Sequence, residues 1–245
     1  MADTQVKTDL AALATTAAEF TVRVLNQAIA SRGQANWLLA GGTAPMGAYR
    51  LLASTYASQV DWSKVVVAIG DERCVPLDHA DANWQLIDKA LLQVVALPKE
   101  HQLRPKSDVS AEAAAEDYES QLCTLIVQGS KVPHFDTVWL GMGEDGHTLS
   151  LFPGHAALQN TEPLVIAVHN SPKPPPDRIS LTLAALTDTA QCLVLASGSG
   201  KAEIIGQIFN NEASLPVKQA ADTITDAGGQ VTWLFDEAAA SQLAS

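Results

Sequence analysis

The sequence predicts an α/β fold of three layers, in which a mostly parallel sheet lies between layers of helices. Short apolar, β-prone segments alternate along the chain with longer segments of helical periodicity. Several apolar segments run directly into glycine, which is typical of the turn that follows a parallel strand. The chain has 245 residues and contains no repeat or linker-like stretch, so we expect a single domain over residues 1–245.

The composition describes a folded and strongly acidic protein. Apolar residues make up 47% of the chain and charged residues 17%, as in globular domains. The net charge of −12 argues against nucleic acid or an anionic membrane as a partner, because both require a basic surface. It still permits a small phosphorylated substrate, which needs only a few cations locally.

Cysteine usage and hydropathy favour a cytoplasmic protein. Cys74, Cys123 and Cys192 are scattered without a CxxC pair, so we expect free thiols in a reducing compartment. Residues 1–10 lack a continuous apolar segment and predict no signal peptide. No apolar run approaches about 18 residues, so no membrane span is expected.

Strands and helices alternate through the first half of the chain. An amphipathic helix is expected over about residues 8–31, a strand at 36–40 and a helix at 45–54, where Pro45 suits the first helical turn. The apolar residues 65–69 predict a second buried strand. Two further helices are expected over about residues 81–95, ending before Pro98, and 110–127.

A glycine turn links the first predicted strand to its helix. Gly41, Gly42 and Thr43 precede Pro45, and this order of strand, glycine turn, hydroxyl and helix start exposes backbone N–H groups. The turn is therefore a candidate phosphate cradle. An ordinary strand-to-helix turn explains the same residues equally well.

Three charged residues follow the strand at 65–69. Asp71, Glu72 and Arg73 stand where α/β sheets place ligand groups, at the carboxyl end of a strand. Arg73 can bind a phosphate or carboxylate through two parallel hydrogen bonds. The alternative is a solvated loop with an internal Asp–Arg pair.

Residues 136–154, DTVWLGMGEDGHTLSLFPG, contain the most informative pattern. A buried strand at 137–140 runs into a glycine-rich turn that carries Asp145 and His147. A carboxylate next to an imidazole orients the ring and raises its basicity, which suits a general base that activates water. The turn formally matches GxGxxG, but Pro153 interrupts the helix that a dinucleotide site requires, so nicotinamide or flavin binding is disfavoured.

The last third of the chain supplies more cations. A strand at 163–168 precedes a proline-rich loop, residues 170–178, whose rigidity presents Lys173 and Arg178 at low entropic cost. The alternative is a polyproline spacer. A strand at 191–196 precedes SGSGK, which fails the P-loop pattern but places Lys201 at a helix start. A last strand at 231–235 ends at Asp236, which is expected to cap a short helix.

With these motifs together, the chain resembles the 6-phosphogluconolactonases, within the group that includes the glucosamine-6-phosphate deaminases. The resemblance spans nearly the whole chain and depends on DERCVP at 71–76, the run at 141–154, SPKPPPDR at 171–178 and Gly-Lys at 200–201. It implies a modified Rossmann-like fold and hydrolysis of 6-phosphoglucono-1,5-lactone in the pentose phosphate pathway. No cofactor is implied, and the histidines show no metal-ligand spacing, so no metal is expected.

The resemblance also implies roles for individual residues. His147 would be the base, and Asp145 or Asp71 would position or polarise it. The residues implied to hold the phosphate or the carbonyl oxygen are Gly41, Gly42, Thr43, Arg73, Lys173, Arg178 and Lys201. Ala44 replaces a hydroxyl residue of the family's glycine turn, which leaves the backbone cradle but removes one side-chain contact.

Two other functions compete with lactone hydrolysis. The deaminases carry a glutamate five residues after this histidine, and Phe152 stands there instead, so their carboxylate–histidine relay cannot form. A non-catalytic sugar-phosphate sensor of a transcription regulator would need a helix-turn-helix segment and a basic face, and neither is visible. The resemblance further suggests a monomer.

Overall fold

The computed structural model describes residues 3–160, 162–210 and 213–243. The strands are β1 (Asp3–Lys7), β2 (Ala35–Leu39), β3 (Val65–Ile69), β4 (Asp71–Arg73), β5 (Gln102–Leu103), β6 (Phe135–Gly141), β7 (Val165–Val168), β8 (Arg178–Leu181), β9 (Thr189–Ala196) and β10 (Gln230–Asp236). The helices are α1 (Leu10–Arg32), α2 (Met46–Ser54), α3 (Asn83–Ile87), α4 (Ala111–Leu122), α5 (Ala202–Phe209) and α6 (Pro216–Asp226).

The central sheet has seven strands in the order β1-β10-β9-β6-β2-β3-β5, and every neighbouring pair is parallel. Strands β2 and β3 are buried at all five positions, as expected when helices cover both faces of a parallel sheet. The predicted three-layer α/β/α fold is confirmed. Because all seven strands run in one direction, the turns after β2, β3, β6 and β9 open at the same edge.

A second, antiparallel sheet of three strands, in the order β4-β8-β7, was not predicted. Its first strand consists of the charged residues 71–73, which have no apolar alternation and were interpreted as a loop. Pairing of β4 with β8 places Arg73 directly opposite Arg178. The small sheet thereby connects the loop after β3 to the proline-rich loop.

Two buried tyrosines complete the backbone hydrogen bonding where β2 and β3 end. The Tyr49 hydroxyl donates to the Ala40 carbonyl at 2.9 Å and accepts from the Ala40 N–H at 3.0 Å. The Tyr118 hydroxyl likewise donates to the Ile69 carbonyl and accepts from the Ile69 N–H, both at 2.7 Å. A phenol therefore replaces the neighbouring strand, and the chain can leave the sheet without an unsatisfied backbone group.

The helices that were predicted are present with shifted ends, and other elements were missed. Helix α1 begins after Asp9, whose carboxylate accepts from the Ala12 N–H. The helix expected over 81–95 is α3 followed by a π-helical turn at 88–92, and the one over 110–127 ends as α4 at Leu122. The polar strand β1 and helix α6 were not predicted.

The helix predicted after Asp236 is wrong. Residues 237–243 form turns, and the Asp236 carboxylate, 7% exposed, accepts from the Ala239 N–H at 2.8 Å and from the Gly198 N–H at 3.0 Å. The side chain therefore joins the end of β10 to the loop after β9. In the part of the chain described, no helix is long and apolar enough to cross a membrane.

Replacing Tyr49 by phenylalanine is expected to destabilise the fold. The variant leaves the Ala40 N–H and carbonyl buried without a partner, which should lower the free energy of unfolding by about 1–3 kcal/mol. Denaturant unfolding measures this change. Tyr56→Phe is the matched control, because its hydroxyl bonds Glu19 at the surface, and it should change stability by less than about 0.5 kcal/mol. Equal effects of both variants would contradict the role assigned to Tyr49.

Candidate active site

A cavity of about 400 Å³ lies at the carboxyl ends of β2, β3, β6 and β9. Open α/β sheets bind ligands at this edge, where the strand order reverses. The predicted residues that line the cavity are Gly41, Gly42, Thr43, Asp71, Arg73, His147, Lys173, Arg178 and Lys201. Asp145 lies beside His147, outside this lining. Residues from five separate stretches of the chain thus converge on one site.

The Asp145 carboxylate holds the imidazole of His147. The Asp145 Oδ1 to His147 Nδ1 distance is 2.5 Å, and Lys173 Nζ lies 3.3 Å from the same oxygen. An Nδ1–H that donates to Asp145 leaves the Nε2 lone pair available, and Nε2 makes no hydrogen bond to the residues described here. A Cβ at Gly143 would overlap with both His147 and Asp145, so glycine is required there.

Burial controls the proton affinity of His147. The side chain is 18% exposed, and desolvation lowers its pKa below the ordinary value despite the opposing effect of Asp145; the Lys173 charge lowers the pKa further. The raising effect on the pKa that the sequence predicted for Asp145 is present, but burial outweighs it. At neutral pH the imidazole is accordingly uncharged and able to accept a proton.

Asp71 is held by a serine that the sequence analysis did not single out. Ser150 Oγ donates to Asp71 Oδ2 at 2.6 Å, and the Ser150 N–H donates to Ser180 Oγ at 3.1 Å. Ser150 is fully buried and lies three residues after His147. One turn therefore positions both the imidazole and the second carboxylate.

Glu72 supports the site instead of lining it. Its carboxylate accepts hydrogen bonds from the backbone N–H groups of Arg73, Asn83 and Trp84, each at 2.7 Å, and so caps the start of α3. Burial raises its pKa to about 7, while these three bonds oppose the rise. The alternation of side chains along β4 places Asp71 and Arg73 toward the cavity and Glu72 away from it.

The two arginines of the cavity differ in their remaining donors. Arg178 is 3% exposed and donates to the carbonyls of Lys173, Pro174 and Pro175, which fixes the proline-rich loop. Arg73 donates from Nη1 to the Asp81 carbonyl at 2.8 Å. The two arginines also lie directly opposite each other in the small sheet, and like charges in that position repel each other. A bound anion would relieve this repulsion.

Two helices begin at the cavity without side-chain caps. Neither Pro45, before α2, nor Lys201, before α5, makes a capping side-chain bond, whereas Asp9 and Ser110 cap α1 and α4. Uncapped helix starts direct backbone N–H groups and a partial positive charge at an anion. Burial lowers the pKa of Lys201, against the raising effect of Glu144. Among the described residues no group of histidine, cysteine and carboxylate side chains could hold a metal ion.

Fold and cavity together define an α/β protein with a small-molecule site at the carboxyl ends of its parallel strands. A family model described as glucosamine-6-phosphate isomerases/6-phosphogluconolactonase matches residues 8–233. The chain belongs to this family, which confirms the resemblance inferred from the motifs.

Individual relatives match nearly the whole chain. The 6-phosphogluconolactonase of Mycobacterium tuberculosis is 38% identical over 231 residues, covering 91% of each protein. The probable chloroplastic 6-phosphogluconolactonase 3 of Oryza sativa subsp. japonica is 36% identical over 240 residues, covering 95% of this chain and 73% of the relative. A 6-phosphogluconolactonase structure from Trypanosoma brucei has a TM-score of 0.85 at 28% identity, covering 100% and 99% of the two chains. A monomeric glucosamine-6-phosphate deaminase, at 20% identity and a TM-score of 0.78, shares the fold.

Titration of His147 tests the electrostatics of the site. By NMR, its imidazole should titrate below the ordinary value of about 6.5, and Asp145→Asn should lower the pKa further because the carboxylate raises it. His169 is an internal reference of opposite sign, since hydrogen bonds to Asp177 and Glu112 raise its pKa. A His147 pKa above that of His169 would contradict the dominance of burial.

Proposed function

We propose that the protein hydrolyses 6-phosphoglucono-1,5-lactone to 6-phosphogluconate, the second step of the oxidative pentose phosphate pathway. The observation that carries this proposal is the position of His147, oriented by Asp145, in a cavity that also presents several cations. Such a cavity suits a substrate that carries both an uncharged carbonyl group and a phosphate group. The names of the relatives support the same substrate.

In the proposed mechanism His147 is the general base. Nε2 takes a proton from a water molecule as the water oxygen attacks C1 of the lactone, and the carbonyl electron pair moves onto oxygen. When that oxyanion collapses, the bond from C1 to the ring oxygen breaks and the imidazolium returns its proton to the ring oxygen. Because a lactone is an activated ester, one base and nearby positive charge suffice without a covalent nucleophile.

The cations are proposed to divide the remaining work. Arg73 and Lys201 are the best candidates to contact the phosphate, because neither makes an ion pair with a carboxylate in the part of the chain described. Lys173 already makes an ion pair with Asp145. The Arg178 guanidinium already donates hydrogen bonds to carbonyls of the proline-rich loop. The backbone of Gly41, Gly42 and Thr43, at the start of α2, completes the phosphate cradle.

Deaminase activity is the second candidate, and the contact between Phe152 and His147 argues against it. The Phe152 ring is 1% exposed and packs on the imidazole with centroids 4.5 Å apart. An apolar ring at this position cannot relay a proton. A sensor function is also disfavoured, because α1 leads directly into β2 and the net charge is acidic.

The setting of the enzyme is proposed from its composition and packing. One continuous cluster of buried residues includes members of both sheets, such as Trp139 and Ile179, which supports a single domain over residues 1–245. The net charge of −12 favours a small-molecule substrate over nucleic acid or membrane partners. The free cysteines Cys74, Cys123 and Cys192 favour a cytoplasmic location, and the family resemblance favours a monomer. No cofactor or metal enters the proposed reaction.

Lactone hydrolysis by the wild type and by His147→Ala tests the function. The lactone is generated with glucose-6-phosphate dehydrogenase, and its hydrolysis is followed above the spontaneous background through 6-phosphogluconate dehydrogenase. We expect the wild type to accelerate hydrolysis and His147→Ala to lower kcat by about 10²–10⁴. His101→Ala, a histidine outside the cavity lining, should retain full activity.

Each result has a distinct meaning. No acceleration by the wild type would sink the lactonase proposal, and ammonia release from glucosamine 6-phosphate would then support the deaminase. Acceleration that survives in His147→Ala would keep the activity and move the base to Asp71 or Asp145.

Arg73→Ala should weaken phosphate recognition. Removing the guanidinium should raise both the KM for the lactone and the inhibition constant of inorganic phosphate by about tenfold or more, since a hydrogen bond to a charged group contributes roughly 1.5–3 kcal/mol. Arg50→Ala, an exposed arginine of α2 outside the cavity, makes the same change in net charge and should leave both constants unaltered. Unaltered constants in Arg73→Ala would make this arginine structural.

A further inference from the structure

Leu149 has a backbone conformation that leucine rarely adopts. Its φ of 55° lies in the left-handed region, where the Cβ approaches the following carbonyl. Leu149 is the second residue of a turn that the Leu151 N–H closes by donating to the Thr148 carbonyl at 3.0 Å. Strained residues persist where the surrounding structure over-determines them, and they cluster at functional sites.

The flanking residues explain how the strain is held. Thr148 and Ser150 are fully buried. Thr148 Oγ1 donates to the Gly141 carbonyl at 2.8 Å, and Ser150 is fixed by its bonds to Asp71 and Ser180. With both neighbours anchored inward, the intervening residue has to adopt the left-handed conformation.

This conformation places the Leu149 side chain between the end of β3 and the cavity. Leu149 lines the cavity. A Cβ added at Gly70 would lie only 2.6 Å from Leu149 Cδ2, so the leucine fills space that is open only because residue 70 is glycine. The Gly70 backbone is fixed on both sides, because its N–H donates to the Leu39 carbonyl at 3.0 Å and its carbonyl accepts from Leu181 at 2.9 Å. The leucine therefore forms an apolar wall of the cavity, two residues from His147 and against a fixed backbone.

A core role alone does not account for these features. Leu149 contacts both clusters of buried apolar residues, as a core leucine would. Packing, however, requires neither a positive φ nor a place in the lining of the cavity. The combination indicates a side chain that is held where a ligand meets it.

We propose that Leu149 is a specificity-determining residue that packs against the lactone ring and selects the six-membered ring. The inference rests on the proposed function. In the 1,5-lactone the phosphate-bearing carbon is attached directly to the ring, whereas the isomeric 1,4-lactone has a smaller ring and a two-carbon arm to the phosphate. With the phosphate anchored at the cations and the carbonyl at His147, a rigid wall discriminates between these two shapes.

The experiment compares Leu149→Ala and Leu149→Gly with the control Leu183→Ala, because Leu183 packs against the same two apolar clusters but lies outside the cavity lining. We expect Leu149→Ala to raise the KM for the 1,5-lactone about tenfold or more, as for other losses of methylene contacts in a pocket. The ratio of kcat/KM for the 1,5-lactone to that for the 1,4-lactone should fall by a similar factor. The inhibition constant of inorganic phosphate should stay unchanged, and Leu183→Ala should resemble the wild type in KM, in the lactone ratio and in this constant.

Thermal unfolding of the same variants tests the strain. Leu149→Gly should share the kinetic defect of Leu149→Ala but unfold at a higher temperature, because glycine adopts positive φ without a steric penalty. This variant also provides the kinetic test if the alanine variant does not fold. A lower unfolding temperature for glycine than for alanine would overturn the argument from strain.

Other results overturn the specificity role. An unchanged KM and an unchanged lactone ratio in a folded Leu149→Ala would make Leu149 a core residue only. If Leu149→Ala raised the inhibition constant of phosphate together with the KM, Leu149 would maintain the shape of the whole cavity and would not act on the lactone ring specifically. If the wild type lacks lactonase activity, the proposed function and this inference fail together, whereas activity that Leu149→Ala leaves unaffected overturns the inference alone.

Discussion

Parallel pairing of β2, β3, β6 and β9 is the constraint on which the site depends. It brings turns that are far apart in the sequence to one edge of the sheet. The backbone groups at this edge have lost their strand neighbours and need other partners. The hydroxyls of Tyr49 and Tyr118 supply them for Ala40 and Ile69, so the turns start from fixed positions. A precise cavity edge follows from backbone hydrogen bonding.

Several charged side chains around the cavity bind the protein's own backbone. Glu72 caps α3, Arg178 gathers three carbonyls of the proline-rich loop, and Asp236 holds Gly198. Each is almost fully buried, and each is satisfied by hydrogen bonds to main-chain groups, which is how proteins keep buried charges. These side chains hold the surrounding backbone in place. His147, Arg73 and Lys201 remain as the groups that face a ligand.

The sequence was sufficient for features that depend on local chemistry. Apolar runs such as residues 65–69 predicted the buried strands, and every predicted site residue except Asp145 lines the cavity. Features that depend on distant contacts were missed. Strand β4 has no strand-like pattern and forms only because β8 pairs with it. The net lowering of the His147 pKa was missed, because burial outweighs the predicted raising effect of Asp145 and burial is a property of the folded chain.

The position of β10 has a consequence for how the protein is made on the ribosome. In the described sheet, β1 pairs only with β10, and β10 lies between β1 and β9. Strand β1 therefore has no neighbour in this sheet until β10 has been synthesised. Asp236, at the end of β10, is also the residue that fixes the loop before Lys201. The sheet and the cavity are thus completed in the same late event, and a partly synthesised chain holds an unpaired strand but no finished site.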